Sequence, residues 1–223
     1  MTTKKKGNKM TKKILSLILA GFFVLGFTAC DDDDDEQNLV EIIQSRSELS
    51  TLAFLVGFID ANADVPSEAQ LGNTLSNSLL SYTAFLPNNA AFAELDQNED
   101  GAFDQQDVDI LVNAVGVPFR SEQALATALY ALVANHVVSG AVTSDELTDG
   151  QELDTLVELG DLGSNFGLEI VIANDVIDVI PSFTPFVGEV VTANIEASNG
   201  VAHIVDSVLM DFDTAELLGL VQP

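Results

Sequence analysis

Thr83-Ala84-Phe85-Leu86-Pro87-Asn88-Asn89-Ala90-Ala91-Phe92 is the stretch on which the reading of the fold turns. With Tyr82 it begins as a short apolar run, the pattern of a buried strand. Pro87 stops the run because it has no amide proton to give a ladder. Asn88 and Asn89 follow as turn and helix-entry residues, and 90–95 return to helical composition.

Upstream, Leu39, Val40, Ile42 and Ile43, then Leu49, Leu52, Leu55, Val56 and Ile59, recur at helical spacing. They predict two helices, the second entered through a cap at Ser47 or Ser50. Pro66, Gly72 and Asn73 mark a turn-rich region before Leu79 and Leu80. Downstream, 108–115 and 121–135 are alanine- and leucine-rich and predict helix. From 136 the texture changes. Residues 136–138, 168–173, 176–180, 190–195 and 201–209 are β-branched segments, most of them separated by glycine, asparagine or proline. Helices first and strands afterward predict a single α+β domain built on an antiparallel sheet or sandwich. No repeat of fixed period is present.

Two further segments complete a pattern with the first. Leu132-Val133-Ala134-Asn135-His136-Val137-Val138-Ser139-Gly140 runs from a helix into a strand and a glycine turn. Asn199-Gly200-Val201-Ala202-His203-Ile204-Val205-Asp206-Ser207-Val208-Leu209 is a hairpin followed by a strand. In this order the three resemble the fasciclin domain family over residues 38–213. The resemblance implies a β-sandwich or wedge flanked by helices, and adhesion to cells, matrix or polysaccharide. It marks Thr83, Phe85, Pro87, Phe92, His136, Gly140, His203 and Asp206 as structural motif positions. Where many members carry tyrosine before the histidine, this chain has Asn135. Integrin recognition, linked to that region in animal members, is therefore not implied. His136 reads as structural, fixing a helix-to-strand corner, and His203 as a partly exposed strand residue.

Between the first two segments lies Asp96-Gln97-Asn98-Glu99-Asp100-Gly101-Ala102-Phe103-Asp104-Gln105-Gln106-Asp107. Its spacing resembles an EF-hand loop, with oxygen side chains at positions 1, 3, 5, 9 and 12 and glycine at 6. The ligand set would be Asp96, Asn98, Asp100, the Ala102 carbonyl, Asp104 and Asp107, around a structural calcium ion. Phe103 would pack inward. Aspartate at position 12 resembles dockerin loops and has a shorter reach than the usual glutamate. An acidic surface turn is the alternative reading.

The N-terminus bears on location. Lys4, Lys5, Lys6, Lys9, Lys12 and Lys13 precede an apolar run at 14–27, then Thr28-Ala29-Cys30. These are the parts of a secretory signal over 1–29. Residues 27–30 resemble a bacterial lipobox, with Phe27 where leucine is usual. This implies lipidation of Cys30, the chain's one cysteine, and a membrane partner through that lipid. Asp31 to Asp35 and Glu36 repel one another and predict a solvated tether over 30–37. The run resembles the acidic export tags of surface lipoproteins, so the expected location is the outer membrane, exposed at the cell surface. An aspartate after the cysteine can instead signal inner-membrane retention.

Loss of 1–29 would remove six of the eight basic residues and none of the 35 acidic ones, taking the formal charge from −27 to −33. Nucleic acid is repelled by such a surface. Among enzyme signatures, no nucleophile elbow, zinc-type histidine pair or phosphate-cradling glycine loop is present. The chain reads as non-catalytic, and the fasciclin resemblance implies a surface module with matrix polysaccharide or a cell-surface protein as partner, self-association being open. A small-ligand or glycan-binding module is the second reading. The tail, 214–223, is unassigned; Leu217, Leu218 and Leu220 could dock as a short helix.

Overall fold

Asn38 opens the first helix, α1 (Leu39–Ser45), through a capping box: its Oδ1 accepts the Glu41 amide at 3.0 Å while Glu41 Oε2 accepts the Asn38 amide at 2.9 Å. In this computed structural model, residues 36–64, 66–96, 98–113, 121–157, 167–182 and 187–210 are described. The expectations for 1–35, including Cys30 and the aspartate run, for 114–115 and for 211–223 lie outside them.

The second helix, α2 (Ser50–Asn62), buries Leu52, Leu55, Val56, Phe58 and Ile59. No serine caps it. A 3-10 turn, Ser47–Leu49, precedes it, and its Thr51 amide donates instead to Asn89 Oδ1 at 3.0 Å. The cap comes from 38 residues away, and a search for local Ser or Thr could not find it.

The turn-rich reading of 66–73 is corrected in the same way. A 3-10 turn, Ser67–Ala69, leads into a short helix, α3 (Leu71–Leu75). The carboxylate of Asp60 accepts the Leu71 and Gly72 amides at 2.8 Å each. That anion at the helix start offsets the poor propensity of Gly72 and Asn73. Further along lie a 3-10 helix, Asn89–Glu94, where α-helix was expected, then α4 (Gln105–Asn113) and α5 (Glu122–Ala134).

The strands are β1 (Tyr82–Pro87), β2 (Val137–Ser139), β3 (Gln151–Asp154), β4 (Gly167–Ala173), β5 (Val176–Pro181), β6 (Gly188–Ala197) and β7 (Gly200–Val205). Their hydrogen-bonded order is β2-β1-β7-β6-β5-β4-β3. β1 and β7 are parallel, with Thr83 opposite Val201 and Phe85 opposite His203; the other pairs are antiparallel. The sheet is thus mixed, not purely antiparallel. The chain between β1 and β7 far exceeds the dozen or so residues a parallel crossover needs.

β6 divides the sheet. Only Gly188 and Glu189 pair with β5, whereas Val190 to Ala197 pair with β7 across two register shifts. Bulges of this kind bend a strand. The two halves fold together, and Val138 bridges Thr155 so that the ends of the order, β2 and β3, meet. Phe85, Val138, Leu153, Leu168, Ile170, Val179 and Val205 fill the space between the halves. Ala84, Leu86, Ala202 and Ile204 point the other way, into a larger core roofed by α1, α2, α3 and α5. Because β1 is buried on both faces, its sequence is a continuous apolar run. Gly200, φ 150°, lies so close to β1 that an added Cβ would collide with the Tyr82 carbonyl oxygen. The result is an α+β domain: a seven-stranded mixed sheet with five α-helices among the described residues.

Candidate functional site

The acidic loop leaves the 3-10 helix at Asp96 and re-enters helix at Gln105. Two residues there have positive φ, Glu99 at 60° and Gly101 at 95°. Asp96 closes the turn, its Oδ2 accepting the Gly101 amide at 2.7 Å and its Oδ1 the Asp100 amide at 3.3 Å. Asn98 Oδ1 takes the same Asp100 amide at 2.9 Å, and Asp100 Oδ1 takes the Ala102 amide at 3.1 Å. Asp104 holds the Gln106 amide at 2.7 Å, at the start of α4.

Asp107 ties the loop to its centre. It is fully buried, with Oδ1 on the Asn98 amide at 3.2 Å and Oδ2 on the Asp104 amide at 2.9 Å. Phe103 is buried and meets Phe54 of α2 edge-on, centroids 6.4 Å apart. The loop therefore brings Asp96, Asn98, Asp100 and Asp107 into one hydrogen-bonded turn, with Asp104 just ahead of α4 and Ala102 exposed. The carboxylates point at their own backbone amides. Among the described residues, no three His, Cys, Asp or Glu side chains converge as metal ligands. A six-position site of the expected kind would also draw on the Asn98 amide oxygen and the Ala102 carbonyl. An ionised carboxylate has about four lone-pair directions, so an accepted amide does not exhaust it.

The motif residues sit elsewhere and serve the core. Thr83, fully buried, donates Oγ1–H to the Gly140 carbonyl at 2.6 Å and accepts the Val142 amide at 2.9 Å. Gly140, φ 93°, donates its amide to the Ser81 carbonyl at 2.7 Å. Pro87 ends β1 opposite Val205, and Phe92 lies in the helix-side core. Asp206 Oδ1 accepts the Glu189 amide at 2.9 Å, pinning the start of β6.

Both histidines are engaged through both ring nitrogens. His136 Nδ1 donates to the Leu132 carbonyl at 2.8 Å, and Nε2 accepts the Leu209 amide at 2.7 Å. Burial pushes its pKa down to about 4. His203 is completely buried, a correction to the partly exposed strand residue expected. It faces the space between the sheet halves, stacked on Phe85 with centroids 5.5 Å apart. Its Nε2 donates to the Val142 carbonyl at 3.0 Å, and burial lowers its pKa. Beside them Asn135 donates Nδ2–H to the Leu209 carbonyl at 3.1 Å, while its buried Oδ1 has no partner among the described residues.

One residue the motif list lacked is Asn199. Its Oδ1 accepts the Leu39 amide at 3.0 Å and its Nδ2 donates to the Leu75 carbonyl at 2.7 Å, joining α1, α3 and the β6–β7 turn. The Asn199-Gly200 pair signalled a turn; nothing local signalled those two long-range partners.

With the fold and these contacts in place, comparison with known proteins is direct. The fasciclin domain family model matches residues 59–211, so the chain belongs to that family, whose modules are typically adhesion-related. A solved structure it resembles is a FAS1 domain pair from the insect cell adhesion molecule fasciclin I, at TM-score 0.56 and 12% identity. The match covers 81% of this chain and 53% of that one, so the chain spans about half of the pair's length. At that identity the likeness is one of fold. No curated protein matches the chain.

Proposed function

We propose that this chain is a lipid-anchored surface protein, held through Cys30, whose fasciclin domain mediates attachment to matrix polysaccharide or to a cell-surface protein. The observation that carries the reading is membership of the fasciclin family across 59–211. Its support is the basic, apolar and small-residue sequence leading to Cys30 and the acidic run behind it. Both buried histidines are committed to main-chain partners through both ring nitrogens, which leaves neither placed as a general base.

A structural calcium ion in the loop 96–107 belongs to the same reading. The spacing of oxygen groups, the positive φ at Gly101 and the buried anchor Asp107 support it. Extracellular modules of this kind bind at about 10⁻⁴ to 10⁻³ M, so external calcium would suffice.

Small-ligand recognition is the second reading. Cavities beside the loop and beside Asp206, each about 240 Å³, are where it would be sought first.

The test is attachment of cells carrying the full chain to matrix polymer from the producing organism, against cells with the gene deleted, with calcium and with chelator. Saturable, chain-dependent attachment is expected. Equal attachment by the deletion strain would sink the adhesion reading and bring ligand recognition forward.

A further inference from the structure

One end of the domain differs from the rest in what it exposes. The turn between α3 and β1 carries Leu79, 90% exposed, and Leu80, 52% exposed. Single exposed leucines are ordinary on protein surfaces. This pair is adjacent, and its turn is held in place. The Leu79 amide donates to Asn77 Oδ1 at 2.9 Å, and Asn199 holds the preceding Leu75 carbonyl at 2.7 Å.

The same end collects other chain segments. β1 starts here at Tyr82 beside Gly200, and Gly140 binds the Ser81 carbonyl. The Ser198 amide donates to the Gln37 carbonyl at 2.9 Å, so the N-terminal segment enters the domain at this end. The stretches nearest the leucines, 76–82, 139–144 and 197–201, contain no charged residue, and the exposed Glu36, Glu41 and Glu196 border them. Ser76, Asn77, Ser78 and Ser81 surround the leucines with small polar groups. The opposite end, roughly 17 Å away along β1, presents Glu48, Glu189 and Asp206.

Position along the chain supplies the occupant. Gln37 follows Cys30 by only seven residues, a reach of at most about 24 Å when fully extended. Through so short a tether, a weak second contact acts at high effective concentration. We propose that Leu79 and Leu80 form a membrane-contacting tip, entering the interface of the zwitterionic lipid surface in which the Cys30 acyl chains are embedded. The tip sets the domain upright on that surface and turns the end that carries Glu48 and Asp206 outward. The inference rests on the lipid-anchor reading.

The experiment uses the full chain, processed in a lipoprotein-producing bacterium and reconstituted in phosphatidylcholine vesicles. With Cys30 acylated, Ser78→Cys gives a single thiol for an environment-sensitive dye, and Glu48→Cys gives a matched control. Mass spectrometry establishes acylation first. The expected result is severalfold stronger quenching of the position-78 dye by nitroxide-bearing lipid than of the position-48 dye. Adding Leu79→Ser and Leu80→Ser should abolish the difference without changing the circular dichroism. Equal quenching at the two positions in acylated protein overturns the tip and leaves the anchor standing. Quenching that survives the serine replacements also overturns it, the tether alone then being responsible. A dye shielded from water yet insensitive to lipid quencher, with cross-linked dimers, assigns the leucines to a second copy and overturns the lipid contact. A chain without acyl mass removes the anchor and the tip together.

Discussion

The imidazole of His136 and the main chain of Leu209, 73 residues apart in sequence, share a 2.7 Å hydrogen bond in which Nε2 accepts the amide proton. Because Nδ1 donates to the Leu132 carbonyl, the ring is held as one neutral tautomer. The end of α5 is thereby joined to the segment that follows β7.

That bond fixes a pH dependence. Burial depresses the His136 pKa from 6.5 to about 4, so between these values the unfolded chain binds more protons than the folded one. Stability is therefore full above about pH 6.5 and falls as the pH drops toward 4. The full shift is worth about 3 kcal/mol. His203, also lowered by burial, acts in the same direction. His136→Leu should cost about 2–4 kcal/mol at pH 7, since it strands the Leu209 amide, and should flatten the curve between pH 7 and 5. Urea unfolding at each pH checks both; an unchanged slope in the variant would refute the assignment.

Gly200 is expected to tolerate no side chain. A Cβ there would overlap the Tyr82 main chain, and φ is 150°. Gly200→Ala must separate β1 from β7 or unfold, a loss of about 4 kcal/mol or more. Gly57, whose added Cβ meets nothing within 4 Å, is the control in the same thermal melt. Gly57→Ala should be neutral or slightly stabilising.

On the outer face of β3 and β4, Glu152 lies directly opposite Glu169, both exposed. Like charges so placed are destabilising, by about 0.2–1 kcal/mol. Glu152→Lys should raise the melting temperature, most at low salt and least near 1 M, where the Debye length is about 3 Å. A gain independent of salt would mean that something other than charge is responsible.

Calcium should raise the melting temperature of the native chain, by the equivalent of about 2.7 kcal/mol at a hundredfold excess over Kd. Asp96→Ala removes the acceptor for the Gly101 amide. It should lower stability slightly in chelator and abolish the calcium-dependent increment. A native chain whose melting is the same in calcium and in chelator would leave 96–107 as an acidic turn.

Several elements could not be read from sequence for identifiable reasons. β3, Gln151–Asp154, was missed because Leu153 is its one apolar residue; it is a strand because β4 pairs along its whole length. α3 reads as a turn in sequence because Gly72 and Asn73 favour turns, and the carboxylate that starts it belongs to Asp60 on α2. Alternation along β7 implies a half-exposed His203 only for a sheet covered on one side. In the folded chain both sides of β7 are covered, by helices on one and by the other sheet half on the second.

By itself the sequence determined most of the helices and strands, the family pattern in three ordered segments, and the spacing of oxygen groups in the acidic loop. These depend on neighbours a few residues apart, where periodicity, proline and glycine act locally. Tertiary structure alone decided that β1 and β7 run parallel, that Asn199 joins α1 to α3, and that Leu79 and Leu80 share one end with Gln37. Those relationships link positions up to 160 residues apart, where no local preference reaches. They follow only when burying both faces of the sheet brings the distant segments together.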